Sequence, residues 1–520
     1  MKSPLTAVVI VLCTALTTVP LLAVPAPPLS DLPSTAGRIW LEWRLWEGSV
    51  PEAGQFHFAW PPPYALQDAL TLLVCKISNV SPARILMELD TIVWMILLFA
   101  LVRLGRRLSE CADSGIWVIP ILASLFRWDF AGQFGNFAWR MAETELILFY
   151  VLLVLESGPR SPAAAAFGRA IGFLAAPLIL YFTHAIAYAF WILIAAASCR
   201  SLISARLAMP AAAGCLIPAG YHLLRTWKFS GSMNSLSPIL ADPAADPYRW
   251  IPVSWNKLSL FGGIYPDPIL QGSIFLALAI AVFAAGSRAL AGPAKPDPVR
   301  RHLMIAGVVA ASAFLLPYAT RWPAASRTLY LHFSNVRALE LAALLAAPFA
   351  VFVLPEQSVI RRRLILPGLL LIVLVTQTVR VHRYFEWSHD LQRIVFGEWD
   401  PGRLSGRRFY SAVFPSMSGY PALHRYPHYA SARGAYDPRL FIEEHFWVRP
   451  KSPWPVLSIY ETQIDAYRQP AFSNFYDDIL IVTSPDDPFI AEYSAFWKTA
   501  HPDGGVTAFS PFAHLFSRAK

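Results

Sequence analysis

Residues 170–198 read AIGFLAAPLILYFTHAIAYAFWILIAAAS, twenty-nine positions without a charged side chain. A straight membrane helix needs about 20 residues, so this stretch is either one long span or two short ones turning near Thr183-His184. Basic residues decide between these, because short cytoplasmic loops collect Lys and Arg. Further apolar runs fall at 5–24, 85–102, 116–126, 144–157, 207–224, 269–287, 303–318, 338–354 and 364–379. With Lys2 inside and 170–198 read as a hairpin, the inside loops, counted with Glu156 at the end of the 144–157 run, hold 15 basic and 5 acidic residues. They include Arg103, Arg106 and Arg107, then Arg200 and Arg206, then Arg361, Arg362 and Arg363. Reading 170–198 as a single helix would move the later clusters to the wrong side. The net charge of +9 then divides into +10 inside, −1 in spans and outer segments up to 379, and 0 from 380 onward.

The expected fold is therefore an α-helical polytopic membrane protein with about eleven membrane helices. Composition agrees. The 520 residues are 55% hydrophobic and only 15% charged, where soluble chains carry about 25% charge, and the mean hydropathy is +0.44. Residues 1–379 form the membrane part, with outer segments 25–84, 225–268 and 319–337. The N-terminus is expected in the cytoplasm, with residues 5–24 an uncleaved first span. The apolar run after Lys2 also has the look of a signal peptide, but Pro interrupts the Ala-Val-Pro-Ala stretch at 23–26.

Residues 380–520 change in texture. Helical patterns at 389–396 and 488–500 alternate with strand patterns at 408–414, 456–460, 478–483 and 506–516. A small C-terminal α/β domain is expected, outside the cytoplasm. Its aromatic and His residues (His424, Tyr426, His428, Tyr429, Trp447, Trp454) suit either a small core or a sugar-stacking surface. His424-x3-His428 has no third metal ligand in view, and Pro427 interrupts the helix such a pair would need. The five cysteines show neither metal nor disulfide spacing and read as packed thiols.

Two breaks lie on the same outer side. One is the His184 turn; the other is Gly132-Gln133-Phe134-Gly135-Asn136. Non-helical backbone at membrane depth is tolerated where it is buried in protein or lines a wet cavity, so both breaks suggest a cavity there. Pro63 to Lys76 reads as an amphipathic helix lying on the membrane surface, with Asp68 solvated on its polar face.

Several side chains could carry chemistry. Asp31 directly follows the first span and is either a general base at the outer mouth or a helix cap. Glu88 and Asp90 sit at the outer end of a span, facing a cavity or the interface; Glu143 and Glu145 are weaker versions of the same. Arg337 opens a span, where it can grip a phosphate or snorkel beside Glu340. His184 can bond a phosphate or satisfy a helix end. Asn136, at the other break, has the same two readings. Walker, dinucleotide-Gly, GxSxG and HExxH motifs are absent, so nucleotide-driven chemistry is unsupported. No basic patch suits nucleic acid.

In order along the chain stand Asp31-Leu32-Pro33, Pro63-Tyr64-Ala65-Leu66, Gln133-Phe134-Gly135-Asn136-Phe137, Phe182-Thr183-His184, Pro427-His428 and Arg433-Gly434. This series resembles a bacterial branch of the GT-C superfamily of membrane glycosyltransferases. Where that branch carries a His in its first motif, Thr35 stands here, and Asp31 has no adjacent second carboxylate. The resemblance implies a GT-C-like fold in a bacterial inner membrane. It implies sugar transfer on the outer face, from a polyprenyl-phosphate carrier to an unknown acceptor. By the same resemblance an outer-loop carboxylate, here Asp31, serves as base and basic residues hold the lipid phosphate; Arg337 and His184 are read as those phosphate ligands, and Asn136, Glu88 and Asp90 as substrate-binding residues. No bound cofactor is implied, with a divalent metal left open. A lipid-linked saccharide transporter and a non-catalytic assembly protein are the alternatives.

Overall fold

The computed structural model describes residues 4–24, 32–48, 55–63, 65–109, 116–125, 141–148, 151, 162–197, 205–229, 308, 341, 344–352, 359–417, 423, 426–437, 447–452, 454–455, 457 and 462–519. Helix α1 (Pro4–Ala23) crosses against α4 (Pro82–Ser109), and between them in sequence lie α2 (Leu32–Trp46) and α3 (Ala65–Ser78). Then come α5 (Val118–Leu125), α6 (Pro162–Thr183), α7 (Ala185–Ala197), α8 (Ala205–Phe229) and α9 (Val359–Val395). Their common core joins Val9, Ile10 and Cys13 of α1 to Trp94, Leu97 and Leu101 of α4, and on to Phe173 and Trp191.

The 170–198 stretch is a hairpin. The rings of Phe173 and Trp191 lie 6.2 Å apart, although eighteen residues of unbroken helix would separate them by about 27 Å. The chain has therefore folded back around 182–184, and both rings are buried.

Outward faces are apolar. Leu5, Val8 and Leu12 of α1, Ile92, Ile96 and Phe99 of α4, and Met209, Leu216 and Leu223 of α8 are all exposed. Helices with an apolar exterior are those of a membrane protein. Three described helices are long and apolar enough to cross a bilayer: Pro82–Arg107, Ala166–Thr183 and Leu207–Arg225. Pro4–Val19 and Ala185–Ala197 are shorter apolar helices. Of the other expected spans, 116–126 and 364–379 fall on α5 and α9, and the rest lie largely outside the described residues.

The C-terminal part is built on a mixed four-stranded sheet. Strands β2 (Phe409–Val413) and β4 (Asp478–Val482) run parallel, and β6 (Ala513–Ser517) pairs antiparallel with both β4 and β5 (Gly505–Ala508). All five residues of β4 are buried, as a central strand covered on both faces requires. Helix α11 (Pro488–Ala500) packs Phe489, Tyr493 and Trp497 into that core. These elements fall where the sequence pattern puts them, while the expected strand at 456–460 lies outside the described residues except for Leu457. Tyr426, Tyr429 and Trp454 are core residues, so the tail aromatics among the described residues are mainly packing.

Two features link the segments on either side of the expected boundary at 379/380. First, α9 is one helix through that boundary, about 55 Å long at 1.5 Å per residue. Second, the first outer segment is part of the C-terminal fold. Strand β1 (Phe56–Phe58) pairs antiparallel with β3 (Val448–Pro450). The face of α2 packs on the short α10 (Tyr429–Ala432), and Leu32, Ala36 and Ile39 share a core with Leu391, Phe396 and Leu423.

Candidate functional site

The site is organised around α2, which begins at the residue after Asp31. Asp31 itself, Asn136 and Arg337 lie outside the described residues. Leu32, Pro33 and Thr35, from the first motif, are buried on α2. The tail motifs meet the same helix. Pro427-His428 forms a buried 3₁₀ turn against α2. Gly434 has φ +108°, and a Cβ there would come within 3.0 Å of the Trp40 ring. Only glycine takes that backbone without strain, and a Cβ there would meet Ser405 Oγ first, at 2.5 Å, with the Trp40 ring of α2 just behind it.

On its other side α2 meets α3 and α4. Arg38 donates its Nε and a terminal nitrogen to the two oxygens of Asp68, at 2.9 and 2.7 Å. This is a bidentate pair, the strong geometry for Arg and carboxylate. Asp68 is fully buried, so the expected solvated position is corrected. The reason is that α3 is turned over. Gln67, Asp68 and Thr71 face the protein, whereas Leu70, Leu73 and Ile77 face outward. An amphipathic helix against a polar interior with lipid outside takes this orientation, the reverse of a helix on a soluble core. Glu42 completes the group, with Oε1 4.0 Å from Arg38 Nε. Burial and the neighbouring Asp68 push the Glu42 carboxyl well above its ordinary range. Burial also raises Asp68, with Arg38 pulling the other way.

A second polar group closes the turn end of the α6–α7 hairpin and the C-terminal end of α8. Arg225 is buried and its Nε approaches the Trp60 carbonyl at 3.4 Å. Tyr221 donates to the Pro61 carbonyl at 2.9 Å and stacks on Trp60. Tyr181 Oη lies 3.0 Å from His222 Nδ1, and Tyr181 and Tyr221 are within electrostatic reach of Arg225. Residues 60–61 run into α3, so contacts connect α2, α3, Arg225 and the hairpin in one chain. Neither Arg225 nor the Arg38 group stood out in the sequence. Arg225 ends an apolar run beside Tyr221 and His222, which was the available signal.

His184 caps a helix. Its carbonyl accepts the first bond of α7 from Tyr188 N, and its Nδ1 accepts from Ile186 N at 3.1 Å. That is the behaviour of an N-cap side chain, and it requires Nδ1 unprotonated. Thr183 donates to Glu145 at 2.5 Å, bringing that carboxylate to the turn. Glu88 is ion-paired with Arg84 at 2.8 Å on a half-exposed surface. Arg84 in turn donates to the Leu22 carbonyl, which places the end of α1 beside the start of α4. Asp90 is buried in α4. In the tail, His428 Nε2 stands 3.7 Å from Asp437, which also accepts from Ser411. Among the described residues no group of three or more His, Cys, Asp or Glu is placed to hold a metal ion.

No family model matches the sequence, and no curated protein does. Solved structures are similar. ArnT from Cupriavidus metallidurans, bound to undecaprenyl phosphate, is 12% identical with TM-score 0.42, covering 100% of this chain and 99% of that one. Arabinofuranosyltransferase AftD from Mycobacteria is 12% identical with TM-score 0.47; 98% of this chain spans 41% of AftD. The oligosaccharyltransferase of Archaeoglobus fulgidus is 12% identical with TM-score 0.45, covering 96% of this chain and 71% of that one. Two of the three are named as glycosyl-transferring enzymes, an arabinofuranosyltransferase and an oligosaccharyltransferase. The likeness is structural, at low identity, and no residue role is carried across on it.

Proposed function

We propose that this chain transfers a sugar from a polyprenyl-phosphate carrier to an acceptor hydroxyl at the outer face of a bacterial inner membrane. The observation that carries the reading is the gathering at α2. Motif segments separated by some four hundred residues of sequence meet on the helix that starts directly after Asp31. This packing fixes the start of α2, and a site that must hold one carboxylate still needs such a fixed support.

In the proposed reaction the acceptor oxygen attacks the anomeric carbon, and the bond from that carbon to the phosphate oxygen breaks. Polyprenyl phosphate leaves, and the acceptor proton passes to Asp31. Negative charge grows on the leaving phosphate, so a fixed cation beside it lowers the barrier. Arg337 and His184 are the proposed phosphate ligands, and buried Arg225 is added to them. Asn136, Glu88 and Asp90 are proposed to contact the substrate; since Glu88 holds Arg84, its part is the less direct. The solved ArnT carries undecaprenyl phosphate, and a lipid of that class is the proposed carrier here. The membrane domain is proposed as residues 1–379 and the extracytoplasmic α/β part as 380–520, with the N-terminus cytoplasmic. The alternatives, a lipid-linked saccharide transporter or a non-catalytic assembly protein, both predict no transfer.

Binding of polyprenyl phosphate to the purified chain in detergent tests the carrier. Wild type is expected to prefer it over the phosphate-free polyprenol, with Arg225→Gln and Arg337→Gln each weakening binding about 10-fold. Equal binding of phosphate and alcohol by the wild type overturns the reading.

A further inference from the structure

The contact between α2 and α3 encloses one cation and two carboxyl groups. Arg38 commits the planar edge of its guanidinium to Asp68 through two bonds. Glu42 follows one helical turn after Arg38, and its nearer oxygen stands 4.0 Å from Arg38 Nε. Both Glu42 oxygens are enclosed and neither accepts a hydrogen bond. Gln67, beside Asp68 in sequence, is just as enclosed and bonds neither carboxyl through its amide.

Charge counting decides what this arrangement holds. With both carboxyls ionised, the enclosed group carries −1, with one carboxylate lacking any donor. An ionised carboxylate without donors in a protein interior is very costly, and the group takes a proton instead. One proton brings the total to zero. It also turns Glu42 from an acceptor without donors into a donor, and Asp68 is the acceptor beside it. Two carboxyls that share a site commonly settle in this way, with one proton between them.

We infer that Glu42 is held as a neutral carboxylic acid bonded to Asp68, and that this proton-linked pair, gripped by Arg38, sets the seat of α2 on α3 and with it the start of the helix that follows Asp31 in sequence. The consequence for Asp31 rests on the proposed function; the assignment of the proton does not. Glu42, Asp68 and Arg38 are positioning residues, since they act through α2. The direction of the Glu42 proton affinity, raised by burial and by Asp68, agrees with the geometry.

The test uses the full chain in detergent at neutral pH. Infrared spectroscopy is expected to show the carbonyl band of a buried protonated carboxyl, shifted in D2O and lost in Glu42→Gln. Glu42→Gln, a neutral isostere with donors, is expected to keep the unfolding midpoint. Asp68→Asn, which leaves Arg38 without its counter-charge, is expected to lower it. Absence of the band, its survival in Glu42→Gln, or an equal loss of midpoint in both variants overturns the proton assignment. In transfer assays Asp68→Asn is expected to lower kcat about 10-fold to 100-fold at unchanged KM for the lipid donor, with partial recovery in Asp68→Glu. An unchanged kcat in a folded Asp68→Asn overturns the positioning role. Absence of transfer in the wild type itself would instead remove the proposed function and with it the positioning role, while the infrared result still decides the proton.

Discussion

Gly37 of α2 faces Ser431 of α10 so closely that a Cβ on Gly37 would come within 2.7 Å of the Ser431 Cβ, with the α10 backbone directly behind. The first outer segment and the C-terminal part thus meet at a contact with no spare volume. Gly37→Leu must push the two apart, and overpacking of this kind costs about 1–3 kcal/mol. The expected result is a lower unfolding midpoint and faster proteolysis of the C-terminal part. Gly37→Leu combined with Ser431→Gly is expected to recover part of both, since it clears the atom first met.

Stability should depend on pH through Glu42. Its carboxyl binds a proton more tightly when folded than the ordinary value of 4.5. The stabilisation from that proton is fully present below the unfolded value and is lost as pH rises toward and through the folded value. Asp68, also raised, contributes with the same sign, and Arg38 opposes it. Unfolding midpoints of the wild type measured from pH 5 upward should therefore fall with pH more steeply than those of Glu42→Gln. Identical slopes would show that Glu42 does not titrate in this way.

His184 offers a separation of roles. As the cap of α7 it accepts a hydrogen bond from Ile186 N, and losing a cap costs about 1 kcal/mol. Asn caps as well but lacks the imidazole Nε2–H that would reach a phosphate. Sugar transfer and thermal stability should therefore both fall in His184→Ala. In His184→Asn stability should return, and transfer should stay low if the imidazole bonds the lipid phosphate. Full recovery of transfer in His184→Asn would confine His184 to the turn.

The parts of the fold that were legible are those set by local pattern. The hairpin around His184 followed from charge parity, and the contact between Phe173 and Trp191 is its direct consequence. The strands at 409–413 and 478–482 and the helix at 488–500 follow apolar patterns read directly. What the pattern could not supply was which face of α3 turns inward. An amphipathic helix has the same period whether water, lipid or protein lies on its apolar side. Asp68 was therefore placed in solvent, while Arg38, thirty residues away, is the partner that holds it inside. The pairing of β1 with β3 was hidden for a similar reason. Three-residue strands nearly four hundred positions apart leave no periodic trace. Arg225 was passed over because an Arg at the end of an apolar run commonly snorkels to the interface; only the Trp60 and Pro61 carbonyls show that the segment before α3 covers it.

Asp31, the residue before α2 in sequence, is the proposed base of an outer-face sugar transfer. This role is tested most directly by assaying transfer from polyprenyl-phosphate sugars in membranes containing equal amounts of wild type and Asp31→Asn. The account predicts transfer by the wild type and a loss of about 100-fold or more in the variant, with its unfolding midpoint little changed. A folded Asp31→Asn that transfers at the wild-type rate would contradict it.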